Sequence, residues 1–382
     1  MSQKPRSQLL DLLLDSPAHR IAKLPDADYG QAVIEPFPFL AIVGQQEMKL
    51  ALILSLINPR VGGVLLIGPR GTAKTTAVRA LTDLLPAVRR SLCLYGCTEE
   101  LLEEEGVDAI CENCREKTGY GQPLTVADRV RIIELPLNAR IEDVVGGINE
   151  RIALEQNKVR LERGILGHAD NQILYIDEVN LLPDTLTDAI LDAAAQGHYT
   201  VRRGPLKLRY RSRFLLIGSM NPEEGKLRPQ IMDRFGLRAF VRGLEQTALR
   251  YQAYEQVISH QQHPDRFAAG YADATMALAD EIEQARARLP RVQIGAAARD
   301  LGLMLVQEMG IDSTRAEITL FEAARAHAAA DEREQVEPGD VQAVSLLALR
   351  MRQSDQLTRF FAEQEAEDQR MQAIVDDFSN HQ

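Results

Sequence analysis

The chain of 382 residues is 45% hydrophobic, 26% charged and only 5% aromatic, with no tryptophan. That length exceeds one ordinary domain, suits two or three, and is enough to bury a sizeable core. The net charge of −11 argues against a protein that grips a nucleic-acid backbone, which calls for a basic face, and no uninterrupted apolar run reaches the roughly 18 residues that a membrane span needs.

Residues 1–36 read as an N-terminal leader. The opening MSQKPRSQLLDLLLDSPAHR has a basic start and a leucine run, but Asp11 and Asp15 interrupt the run and no small-residue cleavage site follows. A short amphipathic helix is therefore expected rather than a signal peptide, and the expected compartment is the cytoplasm. The leader ends in the extended stretch Glu35-Pro36-Phe37-Pro38, because a residue before proline is pushed out of helical geometry.

From Phe39 to about Phe240, the apolar runs Val64 to Ile67, Ile173 to Ile176 and Phe214 to Gly218 alternate with helical stretches such as Thr75 to Leu85 and Leu186 to Gln196. Continuous apolar strands separated by helices imply an α/β fold with a parallel sheet covered on both faces. Beyond Phe240 the pattern turns helical: Leu244 to His260, Ala268 to Leu289, Ala296 to Met309, Arg315 to Ala330 and Pro338 to Arg352. The stretch from Gln356 to Asp377 is charged and glutamine-rich, as a solvated helix or a frayed tail would be.

The segment Gly68-Pro69-Arg70-Gly71-Thr72-Ala73-Lys74-Thr75-Thr76 follows the strand ending at Ile67 and opens a helix, which is the setting of a phosphate-binding P-loop. Glycines let the backbone N–H groups face a β-phosphate, the helix N-terminus adds its positive dipole end, Lys74 neutralises the β/γ oxygens of ATP, and Thr75 can bind Mg²⁺. Ala73 stands where glycine is usual, and its methyl group is expected to be accommodated by a negative φ.

A second strand delivers Asp177 and Glu178 at its C-terminal end, where ligands bind in open α/β sheets. Asp177 is placed for the Mg²⁺ shell and Glu178 for polarising the attacking water. A third strand ends at Asn221-Pro222, and Asn221 is placed to hydrogen-bond a γ-phosphate or that water, although an isolated Asn-Pro pair more often marks a turn. Downstream, Arg234 is the first choice and Arg228 the second for an arginine that reaches a neighbouring subunit's γ-phosphate, which requires an oligomer. Arg315 opens a helix and is expected to fold back over the same nucleotide.

These motifs, in this order, resemble the ATPase (I) subunit of magnesium chelatase, within the AAA+ superfamily, from about Phe37 to Arg352. The resemblance extends to Phe37-Pro-Phe39, Ile42-Val-Gly44-Gln45, Met48 to Ile53, Asn58 to Val64, Leu174 to Leu182, Asn221-Pro-Glu-Glu-Gly225, Leu227-Arg-Pro-Gln230 and Asp233-Arg-Phe-Gly236. It implies an AAA+ P-loop NTPase with a parallel sheet core and a C-terminal helical domain. Asn221 would be sensor 1 and Arg315 sensor 2. It also implies a hexameric ring of this chain, which with an integrin-domain AAA+ subunit drives a large porphyrin-binding subunit to insert Mg²⁺ into protoporphyrin IX. The family's hairpin before sensor 1 is matched by Gly197 to Arg213, whose strand-like halves flank Arg-Arg-Gly-Pro. Ala73 departs from the family pattern, and so does Asp143, which stands where an arginine is expected. A MoxR-like remodelling chaperone is the alternative function, and a nucleotide switch with little turnover is a third, against which Glu178 argues.

The expected layout is thus a leader (1–36), a nucleotide-binding core (37–243) carrying a cysteine-rich insert (93–114) and a hairpin insert (197–213), a helical linker (244–290), and a helical lid with an acidic tail (291–382). All four cysteines lie in the insert as Cys93-x3-Cys97-x13-Cys111-x2-Cys114. Three readings stay open for them: a Zn²⁺ staple, redox-sensitive thiols, or inert reduced cysteines. Glu99 to Glu105, between the pairs, reads as a solvated helix face.

Overall fold

The computed structural model describes residues 36–93, 95–148, 161–203, 206–225 and 227–352. The leader up to Glu35 and the acidic tail expected over Gln356 to Asp377 lie outside the described residues.

Five parallel strands form the central sheet: β1 (Val64–Ile67), β2 (Ile132–Glu134), β3 (Ile173–Ile176), β4 (Leu215–Met220) and β5 (Leu237–Phe240), in the spatial order β5-β1-β4-β3-β2. Alternation along each strand decides which layer a residue joins. Val64, Leu66, Ile173, Tyr175, Ile217, Leu237 and Ala239 face one apolar cluster, whereas Leu65, Ile67, Leu174, Ile176, Leu216 and Met220 face the other. Both faces being covered, the central strands read in sequence as unbroken apolar runs.

Strands β2 and β5 escape that sequence signal. The first is three residues long at the sheet edge and the second contains a charged residue, Arg238. Arg238 is only 1% exposed, and its guanidinium donates to the carbonyls of Arg350 (2.5 Å) and Met232 (2.6 Å). Burial lowers its pKa to about 9. Hydrogen bonds of this kind are what make a buried cation tolerable.

The first cluster is covered by helix Gln46–Ile57, by the P-loop helix Lys74–Arg79, and by helices Ala272–Arg288, Ala296–Glu308, Arg315–Ala330 and Pro338–Leu349 of the second half. Polar ties reinforce this packing: Asn58 Nδ2 donates to the Glu322 carboxylate (2.7 Å), and Arg286 donates to the Leu56 carbonyl (2.6 Å). The second cluster is covered by helix Asp184–Gln196, by Pro229–Arg234, and by the hairpin of His198–Arg203 with Leu206–Arg211.

Two helices differ from the sequence pattern. The helix expected from Thr75 to Leu85 is an α-helix to Arg79 followed by a 3-10 turn, Ala80–Leu84. The one expected from Ala268 to Leu289 is two, Pro264–Ala269 and Ala272–Arg288, broken at Gly270, where a glycine weakens helix continuity. No helix among the described residues is long and apolar enough to cross a membrane.

Candidate functional site

The register of the sheet gathers the phosphate loop and the acids. Leu66 pairs with Ser219 and Ile67 with Met220, while Gly218 pairs with Ile176, so Gly68, Asp177 and Asn221 leave neighbouring strands at one edge. Gly68 has no room for a side chain, since an added Cβ would lie 1.9 Å from the Val241 carbonyl oxygen. The loop can therefore run tightly across the sheet edge only with glycine at this position.

Lys74 curls back into its own loop, donating to the carbonyls of Gly68 and Pro69 at 2.7 Å each. Burial lowers its pKa, an effect opposed by the negative charge of Asp177, Glu224 and Glu178. Ala73 corrects the expectation of a negative φ: it sits at φ 66°, ψ 20°, in the left-handed region, as the residue that precedes the helix. That conformation costs an alanine roughly 1–2 kcal/mol, and Gly71 beside it, at φ 76°, does not pay the same penalty.

A chain of hydroxyls links the Mg²⁺-binding candidates. Thr75 Oγ1 lies 3.1 Å from the Tyr175 hydroxyl, which lies 3.0 Å from Asp177 Oδ1, and Ser219 donates to the same Asp177 oxygen. Burial pushes Tyr175 up to about 12, so its hydroxyl stays protonated and able to donate. Tyr175 and Ser219 are not singled out by motif reasoning. The available signal is spacing: Tyr175 stands two residues before Asp177, hence on the same face of β3.

Glu178 is also left-handed, at φ 51°. Its carboxylate pairs with Arg70 of the P-loop at 2.8 Å, and Arg70 also reaches Glu224 at 2.7 Å. Asn221 is 5% exposed and caps the turn Pro222–Glu224, accepting from the Glu223 amide (3.2 Å) and donating to Glu224 (3.1 Å). Beside the loop opens a cavity of about 510 Å³ whose lining includes Ile42, Val43, Thr72, Ala73, Thr76 and Val257. Its apolar walls next to phosphate-binding backbone suit a purine nucleoside.

The arginines are elsewhere. Arg315 pairs with Asp233 (3.3 Å) and Arg234 with Asp192 (3.3 Å), and both line a cavity with Gly62, Gly63 and Phe214, at the opposite edge of the sheet from Gly68. This corrects the expectation that Arg315 folds over the same nucleotide: its helix packs beneath the entry to β1, not over the exit. Arg228 pairs with Asp184 (2.8 Å). Asp143 has a local structural role, because its carboxylate accepts the Arg140 amide (2.9 Å) at the start of helix Ile141–Val145, where an acid also complements the helix dipole.

Residues 92–124 leave the core between two antiparallel strands, Val88–Ser91 and Thr125–Asp128. The sulfurs of Cys93, Cys97, Cys111 and Cys114 lie within 4.8 Å of one another, and none forms a disulfide. Glu99 is not simply solvated: it accepts from the Leu124 amide (2.8 Å) and the Thr125 hydroxyl (2.5 Å). Burial would raise its pKa, but these hydrogen bonds outweigh burial and hold it below the usual range. Ala73→Gly is expected to relieve strain and raise stability by about 0.5–1 kcal/mol, the left-handed penalty less the larger entropy of the unfolded glycine chain; denaturant unfolding of both proteins checks it.

Residues 63–235 match the AAA domain (dynein-related subfamily), and residues 305–376 match the AAA lid domain. The magnesium-chelatase subunit ChlI homolog of Methanocaldococcus jannaschii is 41% identical over 314 residues, 82% of this chain and 84% of that protein. The magnesium-chelatase subunit ChlI of a Nostoc species is 40% identical over 317 residues, 83% of this chain and 84% of that one. In fold, the chain is similar to a putative ATPase from Cytophaga hutchinsonii at 19% identity, with TM-score 0.52 over 82% of this chain and 84% of that one. With a phosphate loop and two strand-end acids assembled at one sheet edge, and relatives this similar along most of its length, the chain belongs to the magnesium-chelatase ChlI family and is an AAA+ P-loop ATPase.

Proposed function

We propose that this chain is the motor subunit of a magnesium chelatase, hydrolysing ATP in a ring of its own copies to drive Mg²⁺ insertion into protoporphyrin IX on a partner subunit. The observation that carries the reading is the 40% identity to ChlI over 83% of the chain, combined with an intact set of Lys74, Thr75, Asp177 and Glu178. An integrin-domain AAA+ subunit and a large porphyrin-binding subunit are the partners this reading requires.

The donors suit a hard cation, being a hydroxyl (Thr75) and a carboxylate (Asp177) joined through Tyr175. Bound Mg²⁺ would neutralise charge on the β- and γ-phosphates. Lys74 exchanges its carbonyl partners for phosphate oxygens, and Tyr175 with Ser219 keeps Asp177 oriented. Glu178 must turn from Arg70 to accept a proton from the attacking water, and Asn221 positions that water from the next strand. Arg234 and Arg315, at the far edge, are suited to complete a neighbour's site rather than their own, which is why a ring is needed.

Four measurements follow from these roles and two carry the test. Glu178→Gln is expected to bind ATP yet hydrolyse it at least about 100-fold more slowly, as for a lost general base; unchanged turnover would remove Glu178 from that role. Glu178→Gln and Arg234→Ala subunits, each inactive alone, are expected to regain ATPase when mixed, because half-sites from two chains then combine into one intact site. No recovery in proven mixed assemblies would place the arginine's action within its own chain. Reconstitution with the cognate large and integrin-domain subunits, followed by Mg-protoporphyrin fluorescence, tests the whole reading. ATP hydrolysis without chelation would favour a remodelling chaperone instead.

A further inference from the structure

The insert at 92–124 takes no part in nucleotide chemistry, yet it is built around four sulfurs. We propose that Cys93, Cys97, Cys111 and Cys114 form a structural tetrathiolate Zn²⁺ centre that folds this insert and braces it against the hairpin.

Geometry is the first argument. Four thiolates around one Zn²⁺ at about 2.3 Å stand about 3.8 Å from one another, and here all four sulfurs already lie within 4.8 Å. They come from two separate turns of chain, and a contraction of less than about 1 Å per pair completes a tetrahedron of the size that Zn–S bonds set. Gly96, at φ 75°, makes the first turn possible.

Hydrogen bonding is the second. The Cys97 amide donates to the Cys93 sulfur and the Cys111 amide to the Cys97 sulfur, both at 3.3 Å. Ser91 Oγ lies 3.5 Å from the Cys93 sulfur. Backbone amides aimed at sulfur spread thiolate charge, as the outer shell of a metal site does.

Charge is the third. Arg163 is largely buried, and its Nε has no hydrogen-bond partner. Cys93 is the strongest of the neighbours favouring its charged form, and an added Cβ on Gly96 would come within 2.6 Å of its guanidinium. A centre of four thiolates and one Zn²⁺ carries two net negative charges, so a buried cation beside it has a counter-ion.

Energetics is the fourth. The insert's own buried core is Cys97, Ile110, Cys114 and Leu124, with Tyr95, Leu101 and Leu102 packed around it. Apolar contact on that scale does not hold an excursion of this length, and small units so poor in core are usually stabilised by metal or disulfide. The insert reaches the rest of the protein through the Glu100–Arg211 ion pair (3.1 Å). Arg211 ends the hairpin strand that leads into β4 and Asn221. Binding converts four thiols and Zn²⁺ into the tetrathiolate with release of four protons, so no oxidant is required.

The test uses the full chain, purified without chelator and desalted. Elemental analysis is expected to find about 1 Zn²⁺ per chain, released in step with titration of four thiols by an organomercurial. Co²⁺ in its place is expected to give thiolate-to-metal charge transfer and the intense visible bands of a tetrahedral site. Cys111→Ser with Cys114→Ser is expected to lower the bound metal at least about 10-fold and to open the insert to protease, with binding of a fluorescent ATP analogue reporting that the core stays folded. If that variant fails to fold, the mercurial titration of the unaltered chain decides alone. Less than about 0.1 Zn²⁺ per chain even after incubation with ZnCl₂, full Zn²⁺ retention by the variant, iron in place of zinc, or disulfides among the four cysteines in protein alkylated at lysis would each overturn the proposal.

Discussion

One hydrogen-bonded chain holds the catalytic edge of this protein together: Thr75 on the P-loop helix, Tyr175 within β3, Asp177 at its end, and Ser219 near the end of β4. Each member comes from a different position along the chain, and only the parallel register of β1, β4 and β3 brings them within reach. Because ligands bind at the carboxyl ends of strands in such sheets, the register that buries the apolar faces also fixes where the acids stand. The core and the site are thus set by the same alternation of side chains.

The site has polarity in its layout. Phosphate loop, acids and Asn221 gather at one edge, whereas Arg234 and Arg315 gather with Asp233 at the other. Two further features suggest local tension at the first edge, since Ala73 and Glu178 both hold left-handed backbone without being glycine. Strain of this sort persists where surrounding structure over-determines it, and such residues cluster at functional sites. At Glu178 the surroundings are Arg70 and the Ser219 hydroxyl, which holds the Glu178 amide at 3.2 Å.

Much of this was legible in the sequence, for physical reasons. Strands β1 and β3 begin and end where their apolar runs do, because both faces are buried and nothing polar interrupts them. The helix Arg315–Ala330 matches its pattern for the same reason. What could not be read were features that depend on a distant partner. Strand β5 hides behind Arg238, whose charge is satisfied by carbonyls of Met232 and Arg350. Tyr175 looks like one more core aromatic until Thr75 and Ser219 are beside it. The place of Arg315 depends on which side of the sheet its helix packs, and no local spacing encodes that. Ala73 shows a further limit: a glycine position occupied by alanine was expected to change its backbone, and the loop instead imposes the left-handed geometry on the alanine.

The helices of the second half do not own a separate core. Ile282, Ala298, Ala316, Leu320 and Val344 belong to the same apolar cluster as Leu66, Tyr175 and Ile217 of the sheet. Prising the two halves apart would expose this shared surface at about 25 cal/mol per Å². The described part of the subunit is therefore built as a stiff lever more than as a hinged clamp: a shift of the sheet edge at one end carries the distal helices with it, and displacement is passed outward to whatever they touch.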